Sequence, residues 1–302
     1  MDKAHKETDK ILDNLVKELT AIYSECYREI EKVYLSNKEL LNAAIKNKGQ
    51  DIGELIKIDR QTKKQLKELS NSISRATAQA VKMLNEELLN IYEINYNYTA
   101  YGIEQELGLQ VYKNIYNRDI IKKLLVDNEN PFMFISLDEM QDKEAIFREL
   151  KRKFLVSIVN GHSIEKIAEN IKEVVEKKLN EAIRIARTEA TRIESMGRQE
   201  SFKKAEQMGI KIKKVWISTN DRRTRETHLL MQGEEKGIDE KFSNGLEYPG
   251  ALGGRASEVV NCRCTHVSKI LGVEDGKKLK ELSENLKEKS FDIWKEGKES
   301  VI

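Results

Sequence analysis

Residues 180–218 read NEAIRIARTEATRIESMGRQESFKKAEQMGIKIKKVWIS, and a change of rhythm inside them decides the fold. The spacing predicts a helix from about Asn180 to Met208. Gly209 then supplies the left-handed residue that ends many helices, with Ile210 positioned for the apolar contact that accompanies such a cap. Beyond it the period falls to two: Ile210, Ile212, Lys214 and Trp216 alternate with Lys211, Lys213, Val215 and Ile217, as in a strand. Helix and strand therefore meet within one compact segment.

Upstream of this point the chain reads as helix. Its two prolines are Pro131 and Pro249, so nothing interrupts long helices over residues 1–130. Leu12, Leu15, Leu19, Ile22, Cys26, Ile30 and Val33 recur every three or four residues and form one amphipathic stripe. A second stripe runs Leu66, Leu69, Ile73, Ala76, Ala80, Met83, Glu87 and Ile91, close to a heptad seam with one polar member. An antiparallel hairpin would bury both. Ser36-x-x-Glu39 and Ser136-x-x-Glu139 read as capping boxes, the second opening a helix to about Asn160. Lys48–Gly53 reads as a turn. Gly161-His162 is a break, His162 is structural, and Ser163 caps a helix with Ile164, Ile167, Ile171 and Val174 on one face.

Tyr92/Tyr96 and Tyr112/Tyr116 are i,i+4 pairs. Each pair would line one helix face, as core or as a partner-binding patch. Downstream, Val259 to Val267 is a second strand candidate. Residues 275–298 suggest a polar, lysine-rich helix with Leu279, Leu282, Leu286 and Trp294 on its apolar side. The fold class expected is mainly α with a small C-terminal α+β domain: a long helical hairpin or bundle, then a compact domain with short antiparallel strands. The expected division is 1–130 elongated helical region, 131–178 helical connector, 179–270 compact domain and 271–302 polar C-terminal helix.

Charged residues make up 34% of the 302-residue chain, yet the net charge is only +2, which argues against a strongly basic nucleic-acid binder. Lysine patches at Lys203-Lys204, Lys211 to Lys214 and Lys277 to Lys287 keep local DNA contact open. No apolar run approaches the length of about eighteen residues that a membrane helix needs. The first residues lack the apolar core of a signal peptide. Three cysteines fit no disulfide framework, and a reducing cytosol is the simplest setting.

The residues with most chemistry lie in the last third. Ser218-Thr219-Asn220-Asp221 can cap a helix starting near Arg223, with Arg225 and His228 on one face at i,i+3. Cys262 and Cys264 would point to one face of a strand and Arg263 to the other. His266 lies about 13 Å from Cys262 along such a strand, too far to share a ligand without a bend. His228 is the better third partner and Asp221 a fourth. Two thiolates, an imidazole and a carboxylate form an acceptable structural zinc set. Buried free thiols are the competing reading. A Cys–His nucleophile and base, or His228 with Arg223 and Arg225 acting on a phosphodiester, is the catalytic alternative. Arg187, Glu189 and Arg192, on one helix, offer charge-assisted hydrogen bonds to an adjoining sheet, or simply solvated ion pairs.

Taken in order, Ala186-Arg187-Thr188-Glu189, Arg192, Gly197-Arg198, Phe202, Trp216, Asp221-x-Arg223-x-Arg225-x-x-His228, Gly233, Phe242, Pro249 with Gly253-Gly254, and Asn261-Cys262-Arg263-Cys264 resemble the phage head morphogenesis domain. This is the Mu F-like minor head protein family of tailed phages and prophages. The resemblance covers about Leu179 to Val267. Thr224 stands where the family commonly has an aliphatic residue, and the Gly-rich loop is less acidic. The family pattern assigns structural roles to Arg187, Thr188, Glu189, Arg192, Trp216, Arg223, Arg225, Asn261 and Arg263. It implies a non-enzymatic minor head protein that associates with the portal and other head proteins, present in the host cytoplasm during assembly and then inside the virion head near the portal. It implies no membrane and no small-molecule substrate. Some members carry a C-terminal toxin, and the roughly 35 residues after Val267 are too few for one. An enzyme or toxin-like effector using His228 and Cys262, and a DNA-binding ejection protein, are the two rival expectations.

Overall fold

A computed structural model describes residues 2–35, 52–119, 121, 143–282, 287 and 289–299, with isolated positions at 38, 39, 42 and 46. The capping boxes at Ser36 and Ser136, the residue pair Asn130-Pro131 and most of the 48–53 turn lie outside them. In chain order the elements are α1 (Lys3–Leu35), α2 (Ile52–Leu107), β1 (Leu109–Gln110), α3 (Lys143–Val159), α4 (Ile164–Gln207), β2 (Ile210–Ile217), α5 (Glu226–Leu230), β3 (Glu235–Lys236), α6 (Ala256–Val259), β4 (Thr265–Val273), β5 (Lys280–Glu281) and α7 (Phe291–Glu299). The mainly α class with a small α+β part is what the sequence pattern specifies. Contacts group the chain into two units. Asn14–Leu84 and Phe134–Ile183 make one; Met1–Asp13, Asn85–Met133 and Arg184–Ile302 make the other. Both units are discontinuous in sequence, whereas the division at 130, 178 and 270 follows the chain.

The first unit is helical. Leu15, Leu19, Tyr23, Cys26 and Ile30 of α1 are buried, as are Leu66, Leu69, Ile73, Ala76 and Ala80 of α2. Tyr23 Oη lies 2.9 Å from Thr77 Oγ1, and Cys26 Sγ 3.9 Å from Ser72 Oγ, so rising numbers on α1 meet falling numbers on α2. The helices are antiparallel, as the two stripes require. The α2 seam drifts, however. Leu84, not Met83, is the buried member, because a straight helix turns about 20° per heptad against a 3.5-residue repeat. Ser163 accepts the Lys166 N–H at the start of α4, and Ile164, Ile167, Ile171 and Val174 face inward. His162 Nδ1 sits 3.3 Å from Asn170 Nδ2, a local structural role.

The second unit holds the sheet. Its order is β3-β2-β4, antiparallel throughout, with a bulge between Lys211 and Ile212. The β2 alternation is observed: Ile210, Ile212, Lys214 and Trp216 point inward. Gly209 takes φ +88 at the end of α4, where the residue must be left-handed. Two expectations change. The strand predicted over 259–267 runs instead over 265–273, because Val259 belongs to the short helix α6 and residues 261–264 form an irregular loop. The helix predicted over 275–298 is replaced by the turn and strand β5 up to Glu281, and by α7 from Phe291.

The tyrosines are core, not a surface patch. Tyr92, Tyr96 and Tyr112 are each at most 5% exposed. Tyr96 stacks on Tyr116 with centroids 3.9 Å apart and meets Tyr112 edge-on at 6.1 Å. Tyr112 and Tyr116 are not on a helix; residues 111–117 are irregular and pinned by Asn97, which accepts the Tyr116 N–H and donates to its carbonyl. At the centre of this region Glu104 is fully buried. It accepts the amides of Val111 and Tyr112 (2.7 and 2.8 Å), Trp294 Nε1 (2.8 Å) and Lys298 Nζ (2.9 Å). One carboxylate thus joins α2, the segment after β1 and α7.

Candidate functional site

The irregular loop before β4 is shaped one backbone group at a time. Asn261 adopts φ +54, a left-handed conformation that asparagine tolerates better than other side chains. Its N–H donates to Thr188 Oγ1 of α4 at 3.1 Å. Thr191, one turn further on, donates to the Cys262 carbonyl. Thr219 donates to the Arg263 carbonyl at 2.6 Å, and Arg225 donates to the Val260 carbonyl. Four consecutive residues therefore have a main-chain group held by a named side chain. A loop without ladder partners needs such a set to remain in one conformation.

The loop presents alternating side chains. Arg263 turns outward onto Asp221, with contacts of 2.5 and 2.7 Å, and this guanidinium holds the Asp221 carboxyl well below the usual carboxylate range. Asp221 also accepts the Arg223 N–H (2.9 Å) and the Thr224 hydroxyl (3.1 Å). Asp221 is thus occupied as the organiser of the 221–224 turn and does not join the cysteines, contrary to the fourth-ligand expectation. Thr224 fits this turn as a hydroxyl, which an aliphatic residue does not supply. The helix expected near Arg223 starts later, at Glu226 with Arg225 as its cap residue.

Cys262 and Cys264 turn inward and are 1% and 2% exposed. His228 from α5 meets them: its Nδ1 lies 3.6 Å from Cys262 Sγ and 3.4 Å from Cys264 Sγ. The three ligand atoms all lie within 4.8 Å of one another. The other ring nitrogen, Nε2, is 3.0 Å from Glu258 Oε2 of α6. With the ring proton on Nε2, that N–H donates to the Glu258 carboxylate and the Nδ1 lone pair faces the sulfurs. Trp216 closes the back of the imidazole edge-on at 5.3 Å. The hydrogen bond from Cys262 and the adjacent His228 draw the Cys264 thiol below its ordinary value. That same sulfur–sulfur contact, together with burial, holds Cys262 well above.

Glu258 escaped the sequence reading because its partner lies 30 residues away and short α6 has no periodic signal. A second internal cluster escaped it too. Glu194 of α4, fully buried, contacts His5 Nδ1 at 2.8 Å, Arg198 at 3.3 Å and the Thr265 hydroxyl at 2.6 Å, while Arg198 also grips Asp2. Glu189 and Arg192 pair with each other along α4, and Arg192 is only 3% exposed, so this is not a fully solvated pair. The sheet is tied to α4 by Glu194 and Arg198 instead, since Arg198 also donates to the His266 carbonyl. Arg187 and Arg223 are exposed side chains bordering a polar cleft of about 520 Å³, with Arg225, Arg263, Asp9 and Asp13 among its other walls. The lysine patch 211–214 is not one charged face: Lys214 is buried on the Ile238 carbonyl, and Lys213 faces Glu235 at 3.7 Å. Burial pushes the Lys214 ammonium down to about 8. Among the described residues no helix is long and apolar enough to cross a membrane.

Comparison with known proteins adds a lineage. Residues 148–267 match the family model described as Phage Mu protein F like protein. The minor head protein GP7 of Bacillus phage SPP1 is 25% identical over 276 residues, covering 88% of this chain and 87% of that protein. The NAD(+)–arginine ADP-ribosyltransferase EFV of Enterococcus faecalis is 32% identical over 197 residues, 64% of this chain. The chain spans only 40% of that relative's length. No solved structure matches the chain. The matched segment contains the whole loop-shaping set from Thr188 to Cys264. Over this segment the chain is similar to the Mu F-like family of phage head proteins.

Proposed function

We propose that this chain is a minor structural protein of a phage or prophage head, acting in head morphogenesis through association with the portal. The observation that carries this reading is the likeness to a minor head protein along nearly the full length of both chains. The side-chain chemistry agrees with a structural role. Thr188, Thr191, Thr219 and Arg225 direct their hydrogen bonds at the chain's own backbone, and His228 is 1% exposed with both ring nitrogens facing protein groups. The test is co-purification with the portal protein encoded in the same phage genome, together with deletion of the gene. A stable complex and defective heads or reduced infectivity are expected. Absence of any association, with normal infectious heads formed without the protein, overturns the reading.

A second reading follows from the ADP-ribosyltransferase relative, of which this chain spans 40%. It predicts NAD+ consumption with arginine as acceptor by the purified chain. Turnover that His228→Ala abolishes without unfolding would favour it over the structural reading.

A further inference from the structure

The geometry points to a zinc ion held by His228 Nδ1 and the thiolates of Cys262 and Cys264. Zinc–sulfur bonds of about 2.3 Å and zinc–nitrogen bonds of about 2.0–2.1 Å, set at a tetrahedral angle, leave sulfur and nitrogen about 3.5 Å apart. The two observed separations are 3.6 and 3.4 Å. In a dithiol core Nδ1, with its single lone pair, accepts from one thiol only and the second sulfur rests on the first, whereas one zinc ion accounts for both separations at once.

Two further points support the ion. Glu258 at Nε2 completes the carboxylate–histidine–metal arrangement that fixes which nitrogen binds. Charge also balances: two thiolates, a neutral imidazole and a divalent cation sum to zero, so the buried cluster carries no net charge. Binding releases the two thiol protons to solvent. Thiolate and imidazole ligands select zinc over magnesium or calcium, which prefer oxygen. Among the described residues no fourth His, Cys, Asp or Glu joins the group. The ion would fasten α5 to the loop before β4, whose remaining backbone groups are already fixed by Thr188, Thr191, Thr219 and Arg225. This inference is independent of portal binding.

The test is metal analysis of the full chain, produced without a histidine tag and dialysed against zinc. About one zinc per chain is expected. Cobalt replacement in a Cys26→Ser variant should give the thiolate charge-transfer band of two cysteine ligands, since Cys26 lies in the other unit. Glu258→Gln should keep the metal but bind it about 10–100-fold more weakly. Cys264→Ser and His228→Gln should lose it. A folded wild-type chain that retains no zinc overturns the proposal, as does cobalt binding without a thiolate band, or zinc that persists in the Cys262→Ser/Cys264→Ser double variant. The wild-type and Cys26→Ser measurements decide the matter even if the ligand variants fail to fold.

Discussion

The helical unit and the loop around Cys262 are stabilised in opposite ways. In the helical unit, stripes of apolar side chains pack against each other, and many residues share one task. In the loop, each main-chain group has its own side chain: Thr188 for Asn261, Thr191 for Cys262, Thr219 for Arg263, Arg225 for Val260. The first arrangement is redundant and survives drift, as the shift from Met83 to Leu84 demonstrates. The second has no spare parts. Its residues are therefore recognisable as an ordered motif, while the stripes are recognisable only as a period.

Substitutions at four positions sharpen or break that contrast. The largest effect is expected from Glu104→Ala, which strands the buried Lys298 and Trp294 together with two amides; a loss of about 3–5 kcal/mol is expected in denaturant unfolding. A loss under about 1 kcal/mol would show that α7 is not held by this carboxylate. Next, Leu69→Ala in the helical seam should cost about 2–5 kcal/mol and leave the environment of Trp216 fluorescence unaltered. A simultaneous change at Trp216 would mean the two kinds of architecture do not respond separately. Asn261→Ala should cost about 1–2 kcal/mol, the strain of a left-handed alanine, whereas Asn261→Gly should be nearly neutral. Equal costs would place the role of Asn261 in its side chain instead of its backbone.

The smallest effect is pH-dependent. Burial opposes the charge on His5, but Glu194 and Asp9 outweigh burial and the nearby Arg198, so its value is raised above 6.5. Glu194 is lowered below 4.5 despite its burial, by Arg198, His5 and Thr265. A raised histidine contributes fully below its unfolded value and loses the contribution as pH climbs through the folded one. A lowered glutamate contributes fully above its unfolded value and loses the contribution as pH falls through the folded one. The pair is therefore strongest between pH 4.5 and 6.5. The melting temperature of His5→Gln should fall furthest below wild type in that window and approach it at higher pH. A gap that widens with rising pH contradicts the assignment.

Much of this architecture was legible in the sequence, and the parts that were not share a cause. Both stripes, the Gly209 cap and the alternation of Ile210 to Ile217 depend on neighbours within a few residues, and periodicity reports them. The convergence of His228 with Cys262 and Cys264 was also readable, because i,i+2 side chains share a side even in the irregular loop that replaced the expected strand. Asp221 was misplaced because a carboxylate near a cysteine pair looks like a ligand until Arg263 is seen to take it. Glu104, Glu194 and Arg198 looked like ordinary helix charges. Their partners lie up to 196 residues away, and no local pattern signals a buried charge whose partner is that distant.

The contacts of Asp2 and His5 with Arg198 and Glu194 also set a timetable. Their sequence separations are 196 and 189 residues. At about 5–20 residues per second of synthesis, the earlier partners wait on the order of 10–40 s for the later ones to be made. Until then Asp2 and His5 lack these partners, although Asn95 already reaches Thr8 on the same helix, and the grip of Glu104 on Lys298 closes later still.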